Sequence, residues 1–366
     1  LVLSSCSCHT GKQITASGLQ RKDFQTEVNG QHTDLFTLSN KQGMEVCITN
    51  YGARVVSILV PDRNGKREDV VCGFSTITEY MEQRQNFGST VGRYIGRILN
   101  ARFTLDGVEY KLVPNNGKSG HISHGGNPGF ADRIWKVEQA DTHRVRLSYL
   151  SPDGENGFPG NLKVTLVYSL GEDDNALDLT YEATTDAPTV LNLSHHSFFN
   201  ISGNFTKSVE DQQLWVDADR FTPYDDKKCV TGEYLPVAGT PLDFRMPHTI
   251  GECIDADHPQ LKVVNGYDHT WELNTKGDDT RPAAWVYDPA SGRKMEIFTT
   301  EPGMQIYTGN GLKGKMTGKG GIAYPFRSAV CFETMHFQDS PNQPGFPSTV
   351  LRPGEVFRSH TVYKFE

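Results

Sequence analysis

Two stretches of this chain carry titratable side chains inside otherwise apolar runs. Residues 190–200 read Val-Leu-Asn-Leu-Ser-His-His-Ser-Phe-Phe-Asn. Side chains alternate along a strand, so Asn192, Ser194 and His196 share one face. Leu191, Leu193, His195, Ser197 and Phe199 share the other. His196 then projects among polar neighbours, a placement that suits a site; taken alone, a surface histidine is the plainer reading. Residues 329–337 read Ala-Val-Cys-Phe-Glu-Thr-Met-His-Phe. Here Val330 and Phe332 point one way, and Ala329, Cys331 and Glu333 the other. Small residues beside the carboxylate leave room for a ligand. A glutamate in so apolar a strand is costly unless it is partnered or used, and burial would tune it toward general-base work. An edge-strand glutamate facing water is the alternative.

Further candidates are histidines and charges beside glycines. His121 and His124 flank Ser123-His124-Gly125-Gly126, Tyr267-Asp268-His269 follows Asn265-Gly266, and Arg97 ends Arg93-Tyr94-Ile95-Gly96-Arg97. None has the spacing of metal ligands, and none of the seven cysteines forms a CxxC pair, so no metal is expected. The glycines near Arg93 do not complete a phosphate-binding fingerprint and no long helix follows them. A Ser-His-Asp hydrolase would draw on Ser194 or Ser197, but the chain has no GxSxG elbow.

The elements that must position these groups are strands. In 163–170, Val164, Leu166, Tyr168 and Leu170 share a face; after the turn-rich Gly171–Asn175, Leu177, Leu179 and Tyr181 resume the alternation. Period two on both sides of a turn predicts an antiparallel hairpin. A second is predicted at Asp106-Gly107, between Phe103, Leu105 and Val108, Tyr110, Leu112, because glycine accepts the positive φ of a tight turn. Val145, Leu147 and Tyr149 give another strand. Helical signals are few, with one or two turns over 76–83. Strands do not alternate with long helices, so a doubly wound α/β fold is disfavoured. Many short strands with Gly/Pro turns predict an all-β fold, a large antiparallel β-sandwich over 21–366.

Composition narrows the function classes. The chain has 366 residues, 36 glycines and a formal charge of -8. That charge argues against a nucleic-acid partner, which needs a basic face, and leaves a neutral small molecule open. No run approaches the ~20 apolar residues of a membrane-spanning helix. At the amino end, Leu3-Ser4-Ser5-Cys6 resembles a bacterial lipobox. On that reading 1–20 are a signal-peptide remnant and polar tether, and Cys6 carries a lipid that is the only membrane contact. The protein would then work in the periplasm or at the cell surface; the alternative is cytoplasmic. The five cysteines of the body, Cys47, Cys72, Cys229, Cys253 and Cys331, are expected to be buried thiols.

Taken together, the motifs resemble one family, the aldose 1-epimerases or galactose mutarotases, from about Thr37 to Phe365. They include Asn50-Tyr51-Gly52-Ala53, Val91-Gly92-Arg93 through Arg97-Ile98, and Ser123-His124-Gly125-Gly126 with Gly129-Phe130 and Trp135. The run 151–160, Ser-Pro-Asp-Gly-Glu-Asn-Gly-Phe-Pro-Gly, is especially characteristic. So are 192–200, Thr231-Gly232-Glu233, 239–245, Gly266-Tyr267-Asp268-His269, 305–310 and Cys331-Phe332-Glu333-Thr334.

The resemblance implies a β-sandwich enzyme that interconverts α and β anomers of free hexoses such as galactose and glucose. It implies Glu333 as general base, His196 as general acid and His124 as a second histidine that holds the sugar near its ring oxygen. Arg97, Asp268 and Gln305 match positions that bond sugar hydroxyls. It implies no cofactor, and a monomer or weak dimer. The sequence departs from the pattern at four places. Gly96 stands where asparagine is usual, His195 where asparagine precedes the acid histidine, Met335 where glutamine follows the base, and Ser123 where leucine precedes His124. These changes bear on which hydroxyl pattern is preferred. The rival readings are a non-catalytic carbohydrate-binding lipoprotein and a hexose-6-phosphate epimerase. The second would need a cluster of basic residues around the phosphate, to which Arg93 and Arg97 are the candidates.

Overall fold

Asp106 and Gly107 both adopt positive φ, 52° and 79°. They join strands Arg102–Leu105 and Val108–Lys111 with Leu105 opposite Val108, the two-residue turn whose twist matches antiparallel strands. The other predicted hairpin also forms, Leu162–Leu170 against Ala176–Thr185, with Leu170 opposite Leu177. Its apolar faces, Val164, Leu166, Tyr168, Leu177, Leu179 and Tyr181, are buried, and Lys163 and Glu182 are exposed. These observations come from a computed structural model, which describes residues 13–366.

That hairpin sits inside a nine-stranded sheet. From one edge its strands are Lys136–Ala140, Arg144–Ser151, Leu162–Leu170, Ala176–Thr185, Phe357–Phe365, Lys294–Thr299, Ala284–Tyr287, Gln213–Val216 and His248–Thr249. Neighbouring strands pair antiparallel. Two smaller antiparallel sheets pack on its apolar face. One has four strands, from Leu35–Ser39 to Arg67–Asp69; the other has six, in the order Phe198–Phe199, Val330–Met335, Gly303–Tyr307, Asp268–Glu272, Arg220–Thr222 and Leu235–Pro236. The core between the layers joins Leu166, Tyr168, Leu179, Ile297 and Tyr363 of the large sheet to Val46, Ile48 and Val55 of the four-stranded one. From the six-stranded sheet it takes Phe221, Trp271, Ile306 and Phe332. This is the β-sandwich the periodicity predicts. Burial of each large apolar side chain contributes about 1.5–3 kcal/mol.

The six-stranded sheet matters most for function, because its alternation sorts residues. Phe332, Ile306 and Trp271 face the core, so Glu333, Gln305, Asp268 and Thr270 face away from it.

The helical turn predicted over 76–83 is the helix Ile77–Gln83. Thr76 caps it through a reciprocal pair: its hydroxyl accepts the Glu79 N–H at 3.2 Å, and the Glu79 carboxylate accepts the Thr76 N–H at 2.9 Å. A second helix, Pro259–Val264, is too short to show a period in sequence. Among the described residues, no helix is long and apolar enough to cross a membrane.

Two expectations change. Residues 14–20, expected in the tether, are folded: Ile14 bridges Gln20, and Leu19 is buried. The reason lies in Glu45, a buried carboxylate that accepts the Ala16 and Ser17 N–H groups at 3.0 and 3.2 Å and would be costly without such partners. The anchor candidate, Cys6, lies outside the described residues. Of the five body cysteines, all free, Cys253 is half-buried rather than buried.

Candidate active site

Glu333 sits mid-strand, beside Gln305 of the next strand. Its carboxylate and the His196 ring are almost wholly enclosed, and Nε2 of His196 lies 3.4 Å from Oε1 of Glu333. His196 is held from two sides: its strand, Ser194–His196, pairs with Ser89–Val91, and its ring stacks on Phe198 at 5.1 Å. Its Nδ1 is buried without a hydrogen-bond partner among the described residues. Burial, reinforced by His124, drives the His196 pKa well below the imidazole range. Burial, reinforced by Asp268, drives that of Glu333 well above the carboxylate range. Each group alone favours its neutral form, so the pair holds one proton between two sites.

The neighbouring His195 shows what alternation does. It turns into the core, with Nε2 2.6 Å from Ser197 Oγ and Nδ1 3.5 Å from the Tyr168 hydroxyl. Burial alone lowers its pKa to about 3, so it stays neutral. The other two members of the His196 face do not reach the pocket. Asn192 brackets the end of the Glu333 strand, bonding both the N–H and the carbonyl of His336 at 3.0 Å. The Ser194 hydroxyl is buried without a hydrogen-bond partner among the described residues. Cys331, expected to leave room beside Glu333, packs instead in an apolar cluster with Phe87, Phe198 and Tyr307.

His124 arrives by a different route. It adopts φ 52° and its ring stands edge-on to that of His196, 5.5 Å away. Its N–H bonds the Gly96 carbonyl at 2.9 Å, and its Nδ1 accepts the Gly96 N–H at 3.4 Å, which leaves the proton on Nε2. Burial, then the Arg97 charge, lowers its pKa to about 4, so it is a neutral donor. The loop carrying it is braced by the characteristic run 151–160. Arg93, almost fully buried, donates to the carbonyls of Ser151, Pro152, Pro159 and Gly160 and to the Ser151 hydroxyl. The amide of Asn156 in that run donates to the carbonyls of Gly125 and Pro128 at 2.8 and 2.9 Å. Gly125 has φ +78°, and a Cβ there would lie 2.1 Å from the Gly92 carbonyl, so only glycine fits.

A cavity of about 270 Å³ opens in front of these groups, at the low end for small-molecule sites. It is lined by Glu333, His196 and His124 together with Arg97, Asp268 and Gln305. All six residues named from the sequence therefore meet. Gln305 donates to the Asp268 carboxylate at 2.6 Å, and burial raises the Asp268 pKa against the opposing Arg97 charge. Arg97 donates to the Lys228 carbonyl at 3.1 Å. Two other candidates stay outside: His121 sits 3.2 Å from the Cys229 sulfur, and His269 is a core residue whose Nδ1 accepts the Asp268 N–H. Arg93, spent on backbone carbonyls, is unavailable to a phosphate. Pocket residues that the sequence reading missed are Gln85 and Asn86, which follow the short helix, and Tyr307, Tyr224 and Gln338. Tyr307 was legible, being two residues from Gln305 on the same face.

One group of metal-donor atoms comes together among the described residues, those of His196, Cys331 and Glu333, within 4.8 Å of one another. Burial holds the Cys331 thiol neutral, whereas a metal binds the thiolate, so this donor set fits a metal poorly.

The arrangement sets a buried carboxylate, a buried imidazole and a neutral hydrogen-bond donor around a pocket the size of one sugar ring, and known proteins resemble the chain in sequence and fold. A family model described as aldose 1-epimerase matches residues 34–364. The galactose mutarotase of Bos taurus is 40% identical over 331 residues, spanning 90% of this chain and 93% of the relative. The aldose 1-epimerase of Escherichia coli K12 is 36% identical over 339 residues, 92% and 96% of the two chains. The GalM/aldose epimerase homologue of C. elegans has a crystal structure that superimposes with a TM-score of 0.84 at 31% identity, covering 91% of this chain and 99% of that one. The galactose 1-epimerase of Lactobacillus acidophilus superimposes with a TM-score of 0.81 at 28% identity, covering 93% and 97%. This chain belongs to the aldose 1-epimerase family.

Proposed function

We propose that the protein is a mutarotase that interconverts the α and β anomers of free hexoses, galactose and glucose among them, by general acid/base ring opening and reclosure. The observation that carries the reading is the buried Glu333–His196 pair, 3.4 Å apart at the wall of a sugar-sized pocket.

In the reacting form the single proton of the pair lies on His196 and Glu333 is the carboxylate. Glu333 takes the proton of the C1 hydroxyl, the C1–O bond to the ring oxygen breaks, and His196 gives its proton to that oxygen. The products are a free aldehyde and a hydroxyl. The aldehyde end rotates, Glu333 returns a proton to the carbonyl oxygen, His196 takes back the hydroxyl proton, and the ring closes on the other face of C1. No net proton is gained or lost, so the pair ends each turnover as it began. Both reacting oxygens are bonded to the same carbon in the closed ring, so neighbouring acid and base serve them together. His124, neutral and with its proton on Nε2, stabilises charge near the ring oxygen without competing for the transferred proton. Arg97, Asp268 and Gln305 bond the remaining hydroxyls and hold the ring within reach of both groups.

Polarimetry of freshly dissolved α-D-galactose tests the reading: the wild type should speed the approach to equilibrium, and no acceleration would remove it. The phosphorylated-sugar alternative is weakened because Arg93 is committed to the 151–160 run, which leaves Arg97 without a basic neighbour from that side.

We further propose that the enzyme works as a monomer or weak dimer, since one chain supplies every residue named around the pocket. A lipid on Cys6 would keep it at the periplasmic membrane face or the cell surface, as the lipobox-like Leu3-Ser4-Ser5-Cys6 suggests. Labelling with a lipid precursor should mark the wild type and not Cys6→Ala. Equal labelling, or none, removes the anchor.

A further inference from the structure

Gly96 is the point from which the far wall of the pocket departs from the family pattern. It has φ +76°, and a Cβ built on it would lie 2.5 Å from Cγ of Gln338 and 3.1 Å from its Cδ. The Gln338 side chain therefore fills the room that a side chain at 96 would need. It does so in one fixed orientation. Its Oε1 accepts the Arg97 backbone N–H at 3.2 Å, and its Nε2 donates to the Tyr224 hydroxyl at 2.7 Å and, longer, to Gln305 Oε1 at 3.3 Å. A backbone N–H can only donate, so the oxygen of the amide faces Arg97 and the nitrogen faces Tyr224.

The donors and acceptors of this wall are not all used within the protein. The Tyr224 oxygen accepts from Gln338 and, at 3.4 Å, from Gln305. Its own hydrogen has no acceptor among the hydrogen bonds of the described residues, although the residue is buried. Gln338 Oε1 keeps one lone pair. Gln305 is already tied to Asp268 at 2.6 Å and to the Thr270 hydroxyl at 2.5 Å. Both Tyr224 and Gln338 line the pocket on the Asp268 side. Gln305, opposite Glu333 on the next strand and bonded to both Tyr224 and Gln338, stands between that side and Glu333. A hydroxyl is both donor and acceptor, and this wall offers one spare donor and one spare acceptor side by side.

We propose that Tyr224 and Gln338 are specificity-determining residues that together read one hydroxyl of the sugar remote from C1, with Gly96 as the residue that makes room for them. The inference rests on the mutarotase reading and adds which groups choose among epimeric sugars. Binding groups of this kind act on the bound ring as a whole, so their loss raises KM more than it lowers kcat. A buried polar group left without its partner is what makes such a site discriminate.

The test is mutarotation of glucose, galactose and their 3-deoxy and 4-deoxy analogues by the full chain, by Tyr224→Phe and by Gln338→Leu. Each variant should raise KM about tenfold for the sugar whose hydroxyl is read. That penalty should vanish for one deoxy analogue, the one lacking the hydroxyl concerned. A third arm guards against misfolding. Gly96→Asn alone should lose most binding through the clash with Gln338, and Gly96→Asn with Gln338→Ala should recover it with an altered epimer preference. Asparagine tolerates the positive φ. Equal penalties on every sugar, penalties confined to kcat, or no change in Tyr224→Phe would each overturn the inference while leaving mutarotation standing. A wild type that accelerates no sugar would instead remove the mutarotase reading and this inference with it.

Discussion

Two histidine–carboxylate arrangements in this molecule differ in every respect that governs proton transfer. In the pocket, His196 and Glu333 stand 3.4 Å apart, almost wholly enclosed, and burial pushes both toward their neutral forms. On the outer face of the nine-stranded sheet, His360 lies between two carboxylates. Its Nε2 is 2.7 Å from Asp178 and its Nδ1 is 2.6 Å from Asp279. The hydrogen bond to Asp178, with that to Asp279 on the other nitrogen, outweighs burial and raises its pKa to about 9. His360 is thus a fixed imidazolium with both nitrogens committed. Among the described residues, His196 has one nitrogen unpartnered and the other in loose contact, so its proton is easily exchanged. Strong pairing and readiness to pass a proton are opposed, and the protein uses one arrangement for each purpose.

The sharpest way to break this contrast is to remove the carboxylate of the pocket pair while keeping its shape. Glu333→Gln should cut kcat/KM for galactose by about a thousandfold, within the range general acid/base groups contribute, with the fold intact by circular dichroism. His360→Gln should leave the rate within a factor of two of wild type, an order-of-magnitude statement resting on its distance from any reacting group. If the two variants lost activity alike, the division between working and structural histidines would be wrong.

The pH profile sharpens the same comparison. The pair works with one proton. A second proton would bury a net positive charge, which holds that step below the ordinary imidazole value of about 6.5. Loss of the only proton would bury a net negative charge, which holds that step well above the ordinary carboxylate value of about 4.3. The plot of kcat/KM against pH should therefore be bell-shaped. Its acid limb should lie below about pH 6.5 and its alkaline limb well above about pH 4.3, both belonging to the pair rather than to either residue. A single limb near pH 6.5 would indicate an ordinary solvated histidine instead.

How far the sequence foretells this site depends on how each residue reaches it. Glu333 and His196 were legible because alternation within apolar strands leaves a polar side chain conspicuous, and the same rule places Gln305 with Tyr307. His195 could be sorted from His196 by the same parity. The assignment of His124, Arg97, Asp268 and Gln305 came from the motifs they share with a family, since nothing in their local pattern requires them to converge. Tyr224 and Gln338 were missed because they enter through loop segments, where no period relates a residue to a face. The short helix Pro259–Val264 was missed because six residues are fewer than two turns. The folded segment 14–20 was missed because its polar composition hides two backbone N–H groups aimed at a buried Glu45.

The smallest expected effect belongs to the outer histidine. In the unfolded chain His360 should titrate near the ordinary value of about 6.5, whereas in the fold it titrates at about 9. A group whose folded pKa is raised contributes stability that is fully present below its unfolded pKa and is lost as pH rises through its folded one. His360→Gln should therefore lower Tm most below about pH 6.5, by the equivalent of about 1 kcal/mol, as for a partly exposed ion pair. Asp178 and Asp279 then face each other without the cation between them. The difference in Tm between wild type and variant should shrink as pH rises through about 9, where the wild type loses the same charge. Scanning calorimetry in a buffer series decides it. A Tm difference that is constant from about pH 6 to about pH 10 would mean that His360 is held by packing and not by its proton. It would then no longer be the charged counterpart of His196.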